Sequence, residues 1–101
     1  DSHTSLVINN ATINNGLSTW NKKLETFSLF ANKLSTSAVD AQLAVINNYF
    51  ATVTPIKNVT INLGGETMGI PTGGANNTDL LGIIAKHTAA GFTATITVRT
   101  S

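Results

Sequence analysis

Between residues 24 and 34 the apolar positions hold a fixed frame. Leu24, Phe27, Leu29 and Leu34 are apolar, and Asn32 stands two places before the last of them. Phe27 and Leu29 alternate with Thr26, Ser28 and Phe30, which predicts a short strand with one pair in a core and three residues outward. Asn32 falls where the chain must leave that strand, and a buried carboxamide there satisfies backbone groups exposed by the bend. Moving back 21 residues reaches His3, Leu6, Ile8, Ala11 and Ile13, a degraded copy that keeps the strand pair and the last apolar position. Moving forward 32 residues places Ile56, Val59 and Ile61 on the positions of Leu24, Phe27 and Leu29, with Gly64 and Gly65 where Asn32 stood. In that third copy permissive backbone replaces the Asn side chain. Residues 5–8, 26–30 and 57–62 are thus expected as adjacent parallel strands. Their outward rows would be Ser5–Thr26–Asn58, Val7–Ser28–Thr60 and Asn9–Phe30–Asn62.

A helical period interrupts the strands twice. Ser37 to Asp40 reads as a capping box with Asp for Glu, opening a helix to about Thr52. Val39, Leu43, Ile46 and Phe50 form its apolar stripe, and Pro55 forbids continuation. Residues 64–77 hold five Gly and one Pro and read as a loop pinned by Met68 and Ile70. Asn77 or Thr78 then caps a second helix, Asp79 to about Ala89, with Leu80, Leu81, Ile84 and His87 inward. Asp79 and Lys86 suit its two dipole ends, and Gly91 suits a left-handed C′ position. Trp20 sits in the connection between the first two strands, after an Asn14-Asn15-Gly16 turn. The final strand turns Phe92, Ala94, Ile96 and Val98 inward and Thr93, Thr95, Thr97 and Arg99 outward, leaving one face solvated.

That order predicts one α/β domain over 1–101, a mainly parallel sheet with two helices on one side. Its divisions are a degenerate repeat at 1–23, an orthodox repeat with helix at 24–55 and a capping repeat at 56–101. From Leu24 to Val98 the chain resembles the terminal, capping part of short leucine-rich-repeat domains found in bacteriophage structural proteins and secreted bacterial surface proteins. The resemblance rests on the frame above and on three later motifs: Gly64-Gly65 leading to Ile70-Pro71-Thr72-Gly73, the short helix from Thr78, and Ala90-Gly91-Phe92-Thr93-Ala94-Thr95. It departs in the first copy, which lacks the Asn, and in the third, which has Gly there. The resemblance implies a short solenoid and brings no shared ligand or catalytic residue.

Charge narrows the function classes. Charged residues make up 11% of the chain, less than half the usual share, and the net charge is +1. Polarity comes instead from 16 Thr, 12 Asn and 7 Ser, a neutral surface suited to extracellular or virion proteins. No basic cluster exceeds Lys22-Lys23, so neither nucleic acid nor an anionic membrane is expected as a partner. Cysteine is absent, which excludes disulfides and thiolate metal sites. The chain opens on Asp-Ser-His without Met, as expected of a processed product or one segment of a longer polypeptide.

Catalytic chemistry finds little to stand on. The acidic groups and histidines are Asp1, Glu25, Asp40, Glu66, Asp79, His3 and His87, and no nucleophile, zincin or paired-carboxylate spacing occurs. Asp40 and Asp79 are accounted for as helix-start residues and His87 as a packing residue. The glycine-rich loop lacks the lysine of a phosphate cradle. Asp1-Ser2-His3 would chelate copper or nickel only with a free terminal amine on Asp1. Acceptor patterns at Asn10, Asn58 and Asn76 match the roughly three that chance supplies in so Asn- and Thr-rich a chain. No cofactor, metal or catalytic residue is therefore expected. The expected role is a non-enzymatic structural and interaction module of a phage virion, in a tail, fibre or capsid-associated protein. The alternative is an adhesin-like domain on a bacterial surface, extracellular or cell-bound, and a small hydrolase or sugar-modifying enzyme is weaker still. The candidate contact face is Thr26, Ser28, Phe30, Asn58, Thr60 and Asn62, with Asn32, Gly64, Gly65 and Gly91 structural. Expected partners are neighbouring subunits or upstream repeats in an oligomeric assembly, with a host surface protein or glycan as a further class.

Overall fold

The computed structural model describes residues 4–18 and 20–101. In chain order the elements are β1 (Ser5–Val7), β2 (Thr26–Ser28), α1 (Thr36–Thr52), β3 (Val59–Leu63), a 3-10 turn (Gly74–Asn76), α2 (Thr78–Ala89) and β4 (Ala94–Val98). The four strands form one sheet in the order β1-β2-β3-β4, and every pairing is parallel. The fold is therefore α/β, a four-stranded parallel sheet with two helices. Phe27, Leu29, Val59, Ile61, Leu63 and Ala94 are buried in one cluster with Val39, Leu43, Ile46 and Phe50 of α1 and Leu80 and Ile83 of α2. Both helices thus cover the same face. The other face carries the alternate residues of each strand, and among the described residues nothing packs over it.

The pairing of β1 with β2 keeps the expected register, Leu6 beside Phe27 and Val7 beside Ser28. Between β2 and β3 the register is two residues further on. Phe27 lies beside Ile61, and Thr26 beside Thr60 where Asn58 was expected. A shift of two leaves every side chain on its own face, so alternation alone is blind to it. Packing decides: the shift sets Leu63 beyond Ile61 in the core at 0% exposure and leaves Ile56, expected opposite Leu24, 46% exposed. Gly64 consequently lies beside Phe30, and Gly65 beside Ala31, so neither replaces Asn32. A Cβ on Gly65, at φ 112°, would come within 2.8 Å of the Ala31 nitrogen.

Two helix details also differ from expectation. The N-cap of α1 is Ser35, whose Oγ accepts from Ala38 N–H at 3.2 Å. Asp40, expected to complete a capping box from Ser37, instead accepts from the N–H and hydroxyl of Thr72. In α2 the buried residues are Leu80, Ile83 and His87, whereas Leu81 is 46% exposed and Ile84 only partly covered. The helix is turned by Asn47 of α1, which donates to Asp79 at 2.9 Å and accepts from Lys86 at 2.7 Å. A Cβ on Gly82 would meet the same Asn47 at 2.7 Å. Residues 79, 82 and 86 therefore face α1, which sends 80, 83 and 87 to the core and 81 to solvent.

The α2 end is closed as a Schellman motif. Phe92 N–H donates to His87 O and Gly91 N–H to Thr88 O, with Gly91 at φ 88°. Asn77 caps the other end, accepting from Asp79 and Leu80 N–H. In the loop before it Met68 and Pro71 are buried, and Ile70 is half-buried. Among its described residues the first connection has no helix. Trp20 fills that space, its ring 4.8 Å from Phe27 and 6.4 Å from Phe50 between centroids.

Candidate interaction face

The uncovered face of the sheet is ordered in ranks. One rank is Ser5, Thr26, Thr60 and Thr95, and the next is Val7, Ser28, Asn62 and Thr97. Adjacent strands are about 4.8 Å apart, so the hydroxyl groups of a rank recur at that interval. No residue of either rank is charged. Glu25 and Lys57 pair at 3.3 Å just before β2 and β3. Past β4, Arg99 is drawn aside by the carbonyls of Glu66 and Met68 at 2.8 and 3.0 Å. Arg99 so ties the glycine-rich loop to the end of the sheet instead of standing free on the face.

Three Asn side chains on this face are held in one manner. Asn9 Oδ1 accepts from Phe30 N–H and from Ser28 Oγ, Asn58 Oδ1 from Thr93 N–H, and Asn62 Oδ1 from Gly64 N–H. Backbone donors thereby fix which carboxamide atom points inward. Ser28 lies beneath Asn9 and is 6% exposed, so of the proposed face residues it is the one withdrawn from solvent. Thr60 and Asn58 are exposed, Thr26 and Asn62 half-exposed, and Phe30 is 37% exposed. Asn9 and the Thr residues of β4 belong to the same surface and extend it. Asn9 was readable from the repeat offset, as the residue 21 before Phe30.

Asn32 lies outside this face, in the core. At 0% exposure its Nδ2 donates to Ile8 O at 2.6 Å and Leu29 O at 2.8 Å, while Oδ1 accepts from Ile13 N–H at 3.3 Å. It ties the exit of β1 to the exit of β2. Gln42 does parallel work one layer out, and no sequence signal beyond its place in the α1 stripe marked it. Buried at 1% exposure, it donates to Leu17 O and accepts from Leu17 N–H, replacing strand-like pairing for a connection that has none.

β1 is an open edge. Ile8 N–H donates to Ser28 O, which turns the backbone of Leu6 and Ile8 toward β2. In a parallel ladder the backbone groups of Ser5 and Val7 then point to the free side. Val7 is 51% and Ile8 37% exposed, and Leu6 is only partly buried. On the same flank a shallow apolar recess runs between Leu17 and the Ala38, Ala41 and Val45 face of α1.

The titratable groups are dispersed. His87 is 1% exposed, its Nδ1 2.8 Å from Ile83 O and its ring against Phe50. Asp40 and Asp79 hold the contacts given above, and no group of three or more His, Cys, Asp or Glu among the described residues could hold a metal ion. The Asp1-Ser2-His3 sequence lies outside the described residues. No described helix is long and apolar enough to cross a membrane. No family model, curated protein or solved structure matches the chain.

Proposed function

We propose that this chain is a non-enzymatic structural and interaction module, a short leucine-rich-repeat-like stack joined to neighbouring chains in a phage virion. The observation that carries the reading is the open β1 edge, where the backbone of Ser5 and Val7 has no partner among the described residues and apolar Val7 and Ile8 lie in solvent. Such an edge is a template for another strand, and a stacked repeat needs its terminal layer covered. Repeat character is supported by the turns that leave the strands. Asn10, Ala31 and Gly65 occupy successive places in the ladder, and all three have positive φ, 54°, 58° and 112°. Ala31 adopts that conformation at a cost glycine would not incur. A left-handed residue thus recurs at the same place after three strands of different sequence, as a repeat would require. The virion context, as part of a tail, fibre or capsid-associated protein, rests on the resemblance of the glycine-rich loop and last strand and on the neutral surface. The non-enzymatic part is supported by the employment of Asp40, Asp79 and His87 in holding the fold.

Sedimentation equilibrium tests the joint. The chain should associate beyond its 10.6 kDa monomer at micromolar concentration. Val7→Lys should return it to monomer while leaving the melting temperature of dilute, unassociated protein unchanged, because a charge on an edge strand blocks pairing and Val7 supports no core contact. A compact monomer at every concentration would contradict the proposal.

A further inference from the structure

The geometry points to the uncovered sheet face as a binding surface for a neutral glycan. This rests on the reading of the chain as an interaction module and names the chemistry of its partner. Parallel sheets are ordinarily covered on both faces, and here one face is bare among the described residues and yet carries no large apolar patch. Its groups are those that recognise hydroxyls. Thr26, Thr60 and Thr95 with Ser5 offer hydroxyls that donate and accept, in a rank at strand spacing.

The Asn residues supply the orientation. With Oδ1 of Asn9, Asn58 and Asn62 committed to backbone N–H groups, each Nδ2 is turned away from its anchor. None of the three Nδ2 atoms has a hydrogen-bond partner among the described residues. They are fixed donors, and a ligand that accepts from them does so without first ordering a mobile side chain. Phe30, at the end of the Asn9 row, offers an apolar ring of the kind on which the C–H face of a sugar packs.

Absence of charge selects among polar ligands. An acidic polysaccharide or a charged peptide would give up hydration for a face with no countercharge, whereas a neutral sugar exchanges hydroxyl–water for hydroxyl–amide and hydroxyl–hydroxyl bonds.

The test is a ¹⁵N-resolved NMR titration of the chain with maltohexaose, cellohexaose, mannohexaose and, as acidic comparison, hexagalacturonate. At least one neutral hexasaccharide should move the side-chain amide signals of Asn9, Asn58 and Asn62 saturably, and the acidic one should not. The Thr60→Val, Thr95→Val double variant keeps the β-branched shape of both residues. It should bind about tenfold more weakly, the loss of roughly 1.4 kcal/mol expected from two hydroxyl contacts. Asn side-chain signals unmoved by every neutral sugar, or moved equally by the acidic one, overturn the inference. So do Asn58 and Asn62 signals that shift with protein concentration alone in a Val7→Lys background, which assign the face to a second copy. Cleavage of a hexasaccharide in the same tube would refute the non-enzymatic reading and leave the binding result standing.

Discussion

Gly69→Ala is expected to lower stability by roughly 3 kcal/mol, the upper range for an over-packed site that cannot relax. Gly69 lies against the start of α1, its N–H donating to Leu34 O at 2.7 Å. A Cβ there would stand 2.2 Å from Thr36 N, 2.5 Å from Ser35 C and 2.8 Å from Thr36 Cα. All three are backbone atoms and cannot turn aside as a side chain would. Nor can the segment they belong to retreat, since Leu34 is buried and Ser35 caps the helix. The loop must lift instead, drawing Met68 out of the core, where it is 1% exposed. For a chain of this length the melting temperature should fall by roughly 10–20 °C. A thermal melt of the variant superimposing on that of the parent would show that the loop does not lie on the helix.

Asn32→Ala should cost about 2–3 kcal/mol, because it strands buried and part-buried backbone groups. Ile8 O and Leu29 O lose their donor and Ile13 N–H loses its acceptor, all around a side chain at 0% exposure. Asn32→Asp should fare no better. It keeps an acceptor for Ile13 but aims a second carboxylate oxygen at two carbonyls. The loss should be felt first at β1, because two of the three bonds reach back to residues 8 and 13. Urea unfolding of the Ala and Asp variants measures the cost. A midpoint within error of the parent in both would show the side chain to be dispensable.

The alternation at residues 5–8, 26–30 and 92–98 was enough to place strands and faces, since each sets its apolar residues on one side of the sheet. It could not set the register of β3, because a two-residue slide preserves that alternation and only the burial of Leu63 distinguishes the two. The rotation of α2 was hidden for a related reason. Leu80, Leu81, Ile83 and Ile84 are apolar on two adjoining faces, and the choice between them is made by Asn47 on another helix. Asp40 shows the same limit from the other side. A Ser three residues ahead made it look like part of a cap, whereas its partner Thr72 lies 32 residues away. Of the candidate face, Thr26, Phe30, Asn58, Thr60 and Asn62 follow from periodicity alone. The anchoring of Asn58 by Thr93, of Asn62 by Gly64 and the withdrawal of Ser28 beneath Asn9 depend on the local positions of backbone N–H groups and hydroxyls, which alternation does not specify.

The open β1 edge is the centre of the functional reading, and amide hydrogen exchange on its own residues tests it most directly. Leu6 and Ile8 N–H groups are turned toward β2, whereas those of Ser5 and Val7 face outward. If another chain adds a strand there, the Ser5 and Val7 amides should exchange freely in dilute protein and become protected as concentration rises. Those of Leu6, Ile8 and β3 should hold steady over the same range. Ser5 and Val7 amides exchanging at one unprotected rate at every concentration, in a chain otherwise well protected, would contradict the account.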